Sequence, residues 1–193
     1  MKDNRDIYPH VEQAGEILRS GGTILYPTDT IWGIGCDACN EKAVQKVTEI
    51  KNRPVVKNYI VLAADLNMVS RYVESIPSMA EELMDVADKP LTIIYPRAMN
   101  LAPGVAAPDG SVAIRIPDQR LCRALIRKLK RPLLSTSANI SGAKAPMRFS
   151  EIDPALIRKI DWTAPRFLEE HATGKPSSII RLGTNNEVEI IRP

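Results

Sequence analysis

The sequence predicts an α/β fold on a mixed parallel and antiparallel sheet, and three observations predict it. Stretches of helical period alternate with short β-branched runs along all 193 residues, the pattern of helices packed on a sheet. Two short apolar runs, 178–182 and 187–191, flank the turn Gly183-Thr184-Asn185-Asn186, which reads as a β-hairpin and adds antiparallel pairing. No repeat, charge block or linker divides the chain, so residues 1–193 read as a single domain.

Each element has its own signal. Val11, Ala14, Ile17 and Leu18 recur with helical period, and Gly21-Gly22 supplies a stop. Residues 23–26 form a strand closed by Pro27. A second extended piece at 31–36 carries Gly33 and Gly35, which leave room for a neighbouring backbone or ligand. Asn40 can cap a helix whose apolar face is Ala43, Val44, Val47 and Ile50, and Pro54 breaks it. Residues 59–63 suit a buried strand. Helices are predicted at 66–73 and at 77–87, the second with proline at its start. A strand follows at 91–95. The stretch 96–109 holds three prolines and Gly104 and is the longest irregular segment, a candidate lid. A strand at 111–116, an amphipathic helix at 120–130 and a short strand at 133–135 follow. A polar loop at 136–146 precedes a helix beginning at Ser150, with Pro154 near its start.

Composition narrows the function classes. Hydrophobic residues are 44% and charged residues 25% of the chain, ordinary globular values that exclude a collagen-like or wholly disordered polymer. The net charge of +3 permits an anionic ligand or RNA and demands neither. No apolar run approaches the roughly 20 residues of a membrane helix. The charged N-terminus lacks the apolar segment of a signal peptide. Three cysteines do not make a disulfide framework. The expectation is a cytoplasmic protein.

Three polar loops follow strands, where ligands gather in open α/β sheets. In Thr28-Asp29-Thr30, the hydroxyls can hold a small polar ligand with Trp32 as a wall, or Asp29 and the threonines can simply bond their own turn. Lys51, Arg53 and Lys57 place three cations within seven residues at a helix end. Such cations are stabilised by the helix dipole whatever their role, and they can equally clamp a polyphosphate. The run 134–142 offers Ser135, Thr136, Ser137, Asn139 and Ser141 before Gly142. It can present donors to phosphate or ribose, or be a solvated turn. His10 and His171 complete no triad-like pattern, which argues against a hydrolase serine.

Taken together, Tyr26-Pro27-Thr28-Asp29-Thr30-x-Trp32-Gly33-x-Gly35-Cys36-Asp37, then Lys51-x-Arg53-Pro54, then Ser135-Thr136-Ser137-Ala138-Asn139-x-Ser141-Gly142 resemble the ordered signature of the YrdC-like family. Residues 112–117, bearing Arg115, and 176–180, bearing Ser177 and Ser178, resemble two further family strands, so the similarity runs from about residue 10 to the end. The resemblance implies a strongly twisted mixed sheet with flanking helices around a basic hollow. It implies a nucleotidyltransferase reaction, L-threonylcarbamoyladenylate synthesis from L-threonine, bicarbonate and ATP with Mg2+, in service of a tRNA modification. By matching position, Lys51 and Arg53 would be catalytic. Lys51, Arg53, Lys57, Ser135, Ser137 and Asn139 would bind ATP, and Thr28, Thr30, Arg115, Ser177 and Ser178 would bind threonine. No resident metal site is implied. RNA in the basic hollow and tRNA-modification partner proteins are further implied ligands. The alternative within the fold is a non-catalytic protein that binds double-stranded RNA or matures ribosomes. A third option, the related domain of hydrogenase-maturation carbamoyltransferases, normally sits in a much longer chain.

The sequence departs from the pattern at several points. Residues 86–92, with Lys89, replace a common Trp-Pro-Gly-Pro-x-Thr; Asn58-Tyr59 replace a small apolar turn; Trp32 stands where tyrosine is common and Leu62 where many members have histidine. These changes bear on substrate more than on fold. Cys36-x-x-Cys39 has redox or zinc spacing, but zinc lacks two further nearby ligands. The basic stretch 120–131 carries a leucine stripe and reads as a core helix with a solvated face.

Overall fold

The computed structural model describes residues 6–52, 59–169, 172–183 and 187–193. Among the described residues nine strands join one sheet, in the order β7-β1-β2-β6-β3-β5-β4-β8-β9. They are β1 (Ile24–Pro27), β2 (Trp32–Asp37), β3 (Ile60–Leu62), β4 (Leu91–Tyr95), β5 (Val112–Arg115), β6 (Leu133–Ser137), β7 (Trp162–Thr163), β8 (Ser178–Leu182) and β9 (Val188–Arg192). The pairs β1/β7, β3/β5 and β4/β8 are parallel. The pairs β1/β2, β2/β6, β3/β6, β4/β5 and β8/β9 are antiparallel. The mixed sheet with flanking helices is the predicted class.

Local chemistry explains most of the helices. Helix α1 (Tyr8–Arg19) buries Val11, Ala14, Gly15 and Leu18. It stops where Gly21, at φ +80°, turns the chain, a conformation that costs glycine no Cβ clash. Asn40 caps α2 (Glu41–Ile50) by accepting from Ala43 N at 3.2 Å, and the buried face is Ala43, Val44, Val47 and Ile50 as predicted. Helix α5 (Arg120–Leu129) buries Leu121, Cys122, Leu125, Ile126 and Leu129 and packs on α1. Several of the cations around it pair with carboxylates: Lys128 with Glu12, Arg123 with Asp118 and Arg131 with Asp37. That is the solvated face expected of a core helix.

Tertiary hydrogen bonds shorten several predicted elements. The helices expected at 66–73 and 77–87 are α3 (Leu66–Val69) and α4 (Met79–Asp85). The first ends early because Val73 bridges Ala98, with Glu74 N donating to Arg97 O and Met99 N to Tyr72 O. The helix expected from Ser150 is a 3₁₀ turn, Phe149–Glu151, then one turn of α6 (Pro154–Ile157). Extended Ile152 and Asp153 part the two, as the residue before a proline avoids helical backbone. The strand expected at 133–135 continues to Ser137, because it pairs with β2 through Gly33 and Ser137. The 96–109 stretch is irregular as read and is tied down: Ala98 N bonds Gly110 O, Ala102 N bonds Ala38 O, and Val105 is buried. The hairpin pairs β8 with β9, while its turn residues Thr184, Asn185 and Asn186 lie outside the described residues.

Cys36 is buried in β2, and Cys36, Cys39 and Cys122 are free thiols. Burial pushes all three thiols up, away from the thiolate a redox or zinc site requires. Among the described residues no group of three His, Cys, Asp or Glu could hold a metal ion, and no helix is long and apolar enough to cross a membrane.

Candidate active site

A cavity of about 370 Å³ opens on the sheet, lined by residues of β2, β3, β4, β5, β6, β8 and β9 and the loops beside them. Thr28, Thr30, Arg115, Ser135, Ser137 and Ser177 all line it, beside Arg192 and an apolar wall that includes Trp32, Ile60, Ile94 and Val105.

Its first wall is the turn after β1. Thr28 Oγ1 donates to Ile31 O at 2.8 Å and accepts from Thr30 N at 3.1 Å. Because that donation uses the only hydroxyl proton of Thr28, the 2.8 Å bond between Thr28 and Thr30 carries the proton of Thr30. Arg115 Nη1 then donates to Thr30 Oγ1 at 3.0 Å. Thr28 is thereby saturated, and Thr30 keeps one lone pair, not a proton, for a ligand. The turn does bond its own backbone, and in doing so it brings its hydroxyls to Arg115.

The second wall is the end of β6. Tyr26 Oη donates to Ser135 Oγ at 2.9 Å, and complete burial pushes this phenol far up, so it stays a donor. Lys51, the C-cap of α2, is 2% exposed and reaches across to the 137–139 loop. Its Nζ donates to Ser137 O at 2.5 Å and to Asn139 Oδ1 at 3.3 Å, and Ser141 N donates back to Lys51 O at 2.9 Å. Ser137 Oγ also donates to Asn139 Oδ1. The cation after the second helix and the distant hydroxyl loop are thus clasped together at the edge of one cavity. Arg53 and Lys57, predicted beside Lys51, lie outside the described residues.

The third wall comes from the hairpin. Ser177, 2% exposed, shares a 2.8 Å hydrogen bond with Thr92 Oγ1. Ser178 takes part in β8, its N donating to Pro90 O, and is not among the cavity-lining residues. Arg192 is the site residue that sequence reasoning missed. Its Nε donates to Ser177 O at 2.8 Å, and burial, followed by the nearby cation of Arg115, lowers its pKa. A register shift opposite Ile179 places Arg192 against it, and period-2 reading of a strand does not reveal such a bulge. Two guanidinium groups facing one cavity, with hydroxyls between them, suit a small hydroxylated anion.

The departures sit in different places. Trp32 is fully buried, forms a cavity wall as predicted, and meets Phe149 edge-on at 4.9 Å. Leu62 is core, and Tyr59 lines the cavity. Lys89 lines a separate acidic cavity of about 570 Å³, with Asp29, Glu81, Asp85, Asp88, Asp118 and Arg123 among its neighbours.

This fold and cavity match known proteins. The Sua5/YciO/YrdC family model, described as "Telomere recombination", matches residues 16–193, and the chain belongs to that family. It is 37% identical over 155 residues to a threonylcarbamoyl-AMP synthase of Stenotrophomonas maltophilia, covering 78% of this chain and 83% of that one. A solved structure of a P. abyssi Sua5 double variant superposes with a TM-score of 0.89 at 27% identity, over 98% of this chain. P. abyssi Sua5 complexed with L-threonine gives 0.79 at 26% identity over 95% of this chain. The chain spans 58% and 53% of those two Sua5 chains.

Proposed function

We propose that this chain makes threonylcarbamoyl-AMP, the product for which its curated relatives are named, and that it does so as a nucleotidyltransferase using L-threonine, bicarbonate and ATP and releasing pyrophosphate. The observation that carries the reading is the meeting of Arg115, Thr28, Thr30 and Ser177 with Ser135 and Ser137 in one cavity, with Lys51 clasped to its edge. Arg115 supplies a fork for the threonine carboxylate. Thr30, held in place by Thr28, supplies an acceptor for its N–H or O–H groups. Lys51, with Arg53 and Lys57, faces the phosphates, and Ser135, Ser137 and Asn139 hold the nucleotide.

The chemistry asks for positioning and charge neutralisation more than for a nucleophile. The threonine amine and bicarbonate form a carbamate and release water. A carbamate oxygen then attacks the α-phosphorus of ATP; a new O–P bond forms and the bond to pyrophosphate breaks. Cations and oriented donors stabilise the charge that grows on the phosphoryl oxygens. Magnesium arrives as MgATP, keeping most of its ligands from phosphate and water. Ser137 Oγ, whose proton goes to Asn139 Oδ1, is a hard oxygen with lone pairs that fit such an ion. The product is an activated acyl group for tRNA modification, made in the cytoplasm where ATP and threonine are found, by a chain read as one domain.

The test is incubation with ATP, magnesium, bicarbonate and each amino acid in turn, with mass spectrometry for an acyl-adenylate. A threonine-dependent adduct with matching pyrophosphate release is expected; no adduct with any amino acid overturns the reading. Lys51→Ala or Arg53→Ala is expected to lower turnover at least about tenfold, or ~1.4 kcal/mol of transition-state stabilisation. Wild-type release from either variant refutes its assignment.

A further inference from the structure

We infer that Asp29, a residue of the turn that touches no proposed substrate atom, is the positioning residue that fixes Arg115 in its carboxylate-binding pose. The inference rests on the proposed function for its ligand, though not for its geometry. Arg115 is a cation whose side chain is only 5% exposed. A guanidinium so buried needs a counter-charge and a fixed frame, or it costs more to bury than it returns. Asp29, 8% exposed, supplies the charge: its Oδ1 lies 3.3 Å from Arg115 Nη2. Thr30 takes Nη1, so the two ends of the fork are held by adjacent residues of one turn.

Asp29 is itself held from other elements. Its Oδ2 accepts from Asp118 N at 3.1 Å, just past β5. Its carbonyl accepts from Thr173 N at 3.0 Å, and the carbonyl of Thr30 from Gly174 N at 2.9 Å, ahead of Ser177. The carboxylate therefore ties the turn after β1 to the end of β5, while the backbone carbonyls of the same turn hold the approach to β8. It also offsets the repulsion between Arg115 and Arg192, which face the same cavity. Without it the guanidinium has reason to leave the pose that a bidentate partner needs.

An amide cannot replace this carboxylate. In Asp29→Asn one oxygen becomes an N–H2 donor, and both present partners, Arg115 Nη2 and Asp118 N, are donors as well. Whichever way the amide turns, one contact becomes donor against donor. Asp29→Glu keeps both acceptors and the charge, but its extra methylene shifts the fork.

The experiment has two arms. In calorimetry, Asp29→Asn is expected to raise the L-threonine Kd at least about tenfold and leave MgATP within about twofold, while Asp29→Glu costs threonine about threefold. In an Arg115→Lys background the Asp29→Asn effect shrinks to less than about twofold, because it acts through Arg115. In the second arm, the Arg115 side-chain Nε–Hε resonance, assigned by its loss in Arg115→Lys, is followed by NMR without ligand. It is expected to be sharp in the wild type and shifted and broadened in Asp29→Asn. Unchanged threonine affinity, equal losses for threonine and MgATP, additivity with Arg115→Lys, or an unmoved resonance each overturns the inference. A wild type that binds no threonine while the resonance still responds to Asp29→Asn sinks the functional reading and leaves the positioning role standing. Should Asp29→Asn fail to fold, Asp29→Glu carries the same two measurements, and no change in either overturns the role.

Discussion

Gly35→Ala puts one methyl group where the sheet has no space for it. A Cβ there falls 2.7 Å from Tyr26 Cε1, 3.2 Å from Tyr26 Oη and 3.0 Å from Leu134 O. Neither neighbour gives easily: Tyr26 is fully buried, and Leu134 stands in the β2/β6 and β3/β6 ladders. Overpacking of this kind costs about 1–3 kcal/mol. Moving the Tyr26 ring also strains its bond to Ser135 Oγ, a buried hydrogen bond worth about 1 kcal/mol. The sum, about 2–4 kcal/mol, corresponds to a midpoint lowered by about 4–16 °C in a domain of this size. The assay is thermal unfolding followed by circular dichroism, with threonine-dependent pyrophosphate release measured well below the midpoint. Release is expected to fall too, since Ser135 loses its fixed donor. A variant melting within roughly 2 °C of wild type with undiminished release would show that the packing is looser than these distances require.

Two further outcomes are expected. Asp109 is held well below its ordinary carboxylate value of 3.8, at about 2, first by the Ser111 hydroxyl and N–H and then by Arg181. Because the folded-state value is the depressed one, its stabilisation is present above about pH 4 and fades as pH falls towards 2. Asp109 is half-exposed, so solvent screens the effect to a modest size. Asp109→Asn should flatten the acid limb of stability in that window, read from urea midpoints against pH, and an unchanged limb would refute it. Arg192→Gln removes a cavity cation and a bond to Ser177 O while sparing the core. It should lower turnover at least about tenfold with little change in melting temperature, and full activity would remove Arg192 from the site.

Local signals were legible and long-range ones were not. The strand at 91–95 and the Asn40 cap were readable because a β-branched run and a side-chain cap act within a few residues. The helix after β3 was read too long, since its limit is a bridge between Val73 and Ala98 that no local pattern announces. The two residues of β7 were missed altogether; they form a strand only because Ile24 and Leu25 lie beside them. For the site, matching motifs pointed to six of the cavity-lining residues before any coordinates. Asp29 was read as a turn residue, because a partner 86 positions away cannot be seen in a sequence. Arg192 was hidden by the bulge.

The order of strands has a consequence for when this cavity can exist. Thr28 and Arg192 both line the cavity yet stand 164 positions apart in the sequence (192 − 28). Such long loops close late, after much entropy has been surrendered. A nascent chain emerging from the ribosome therefore holds an incomplete receptor until β9 is out, and ligand can reward folding only from that step onward.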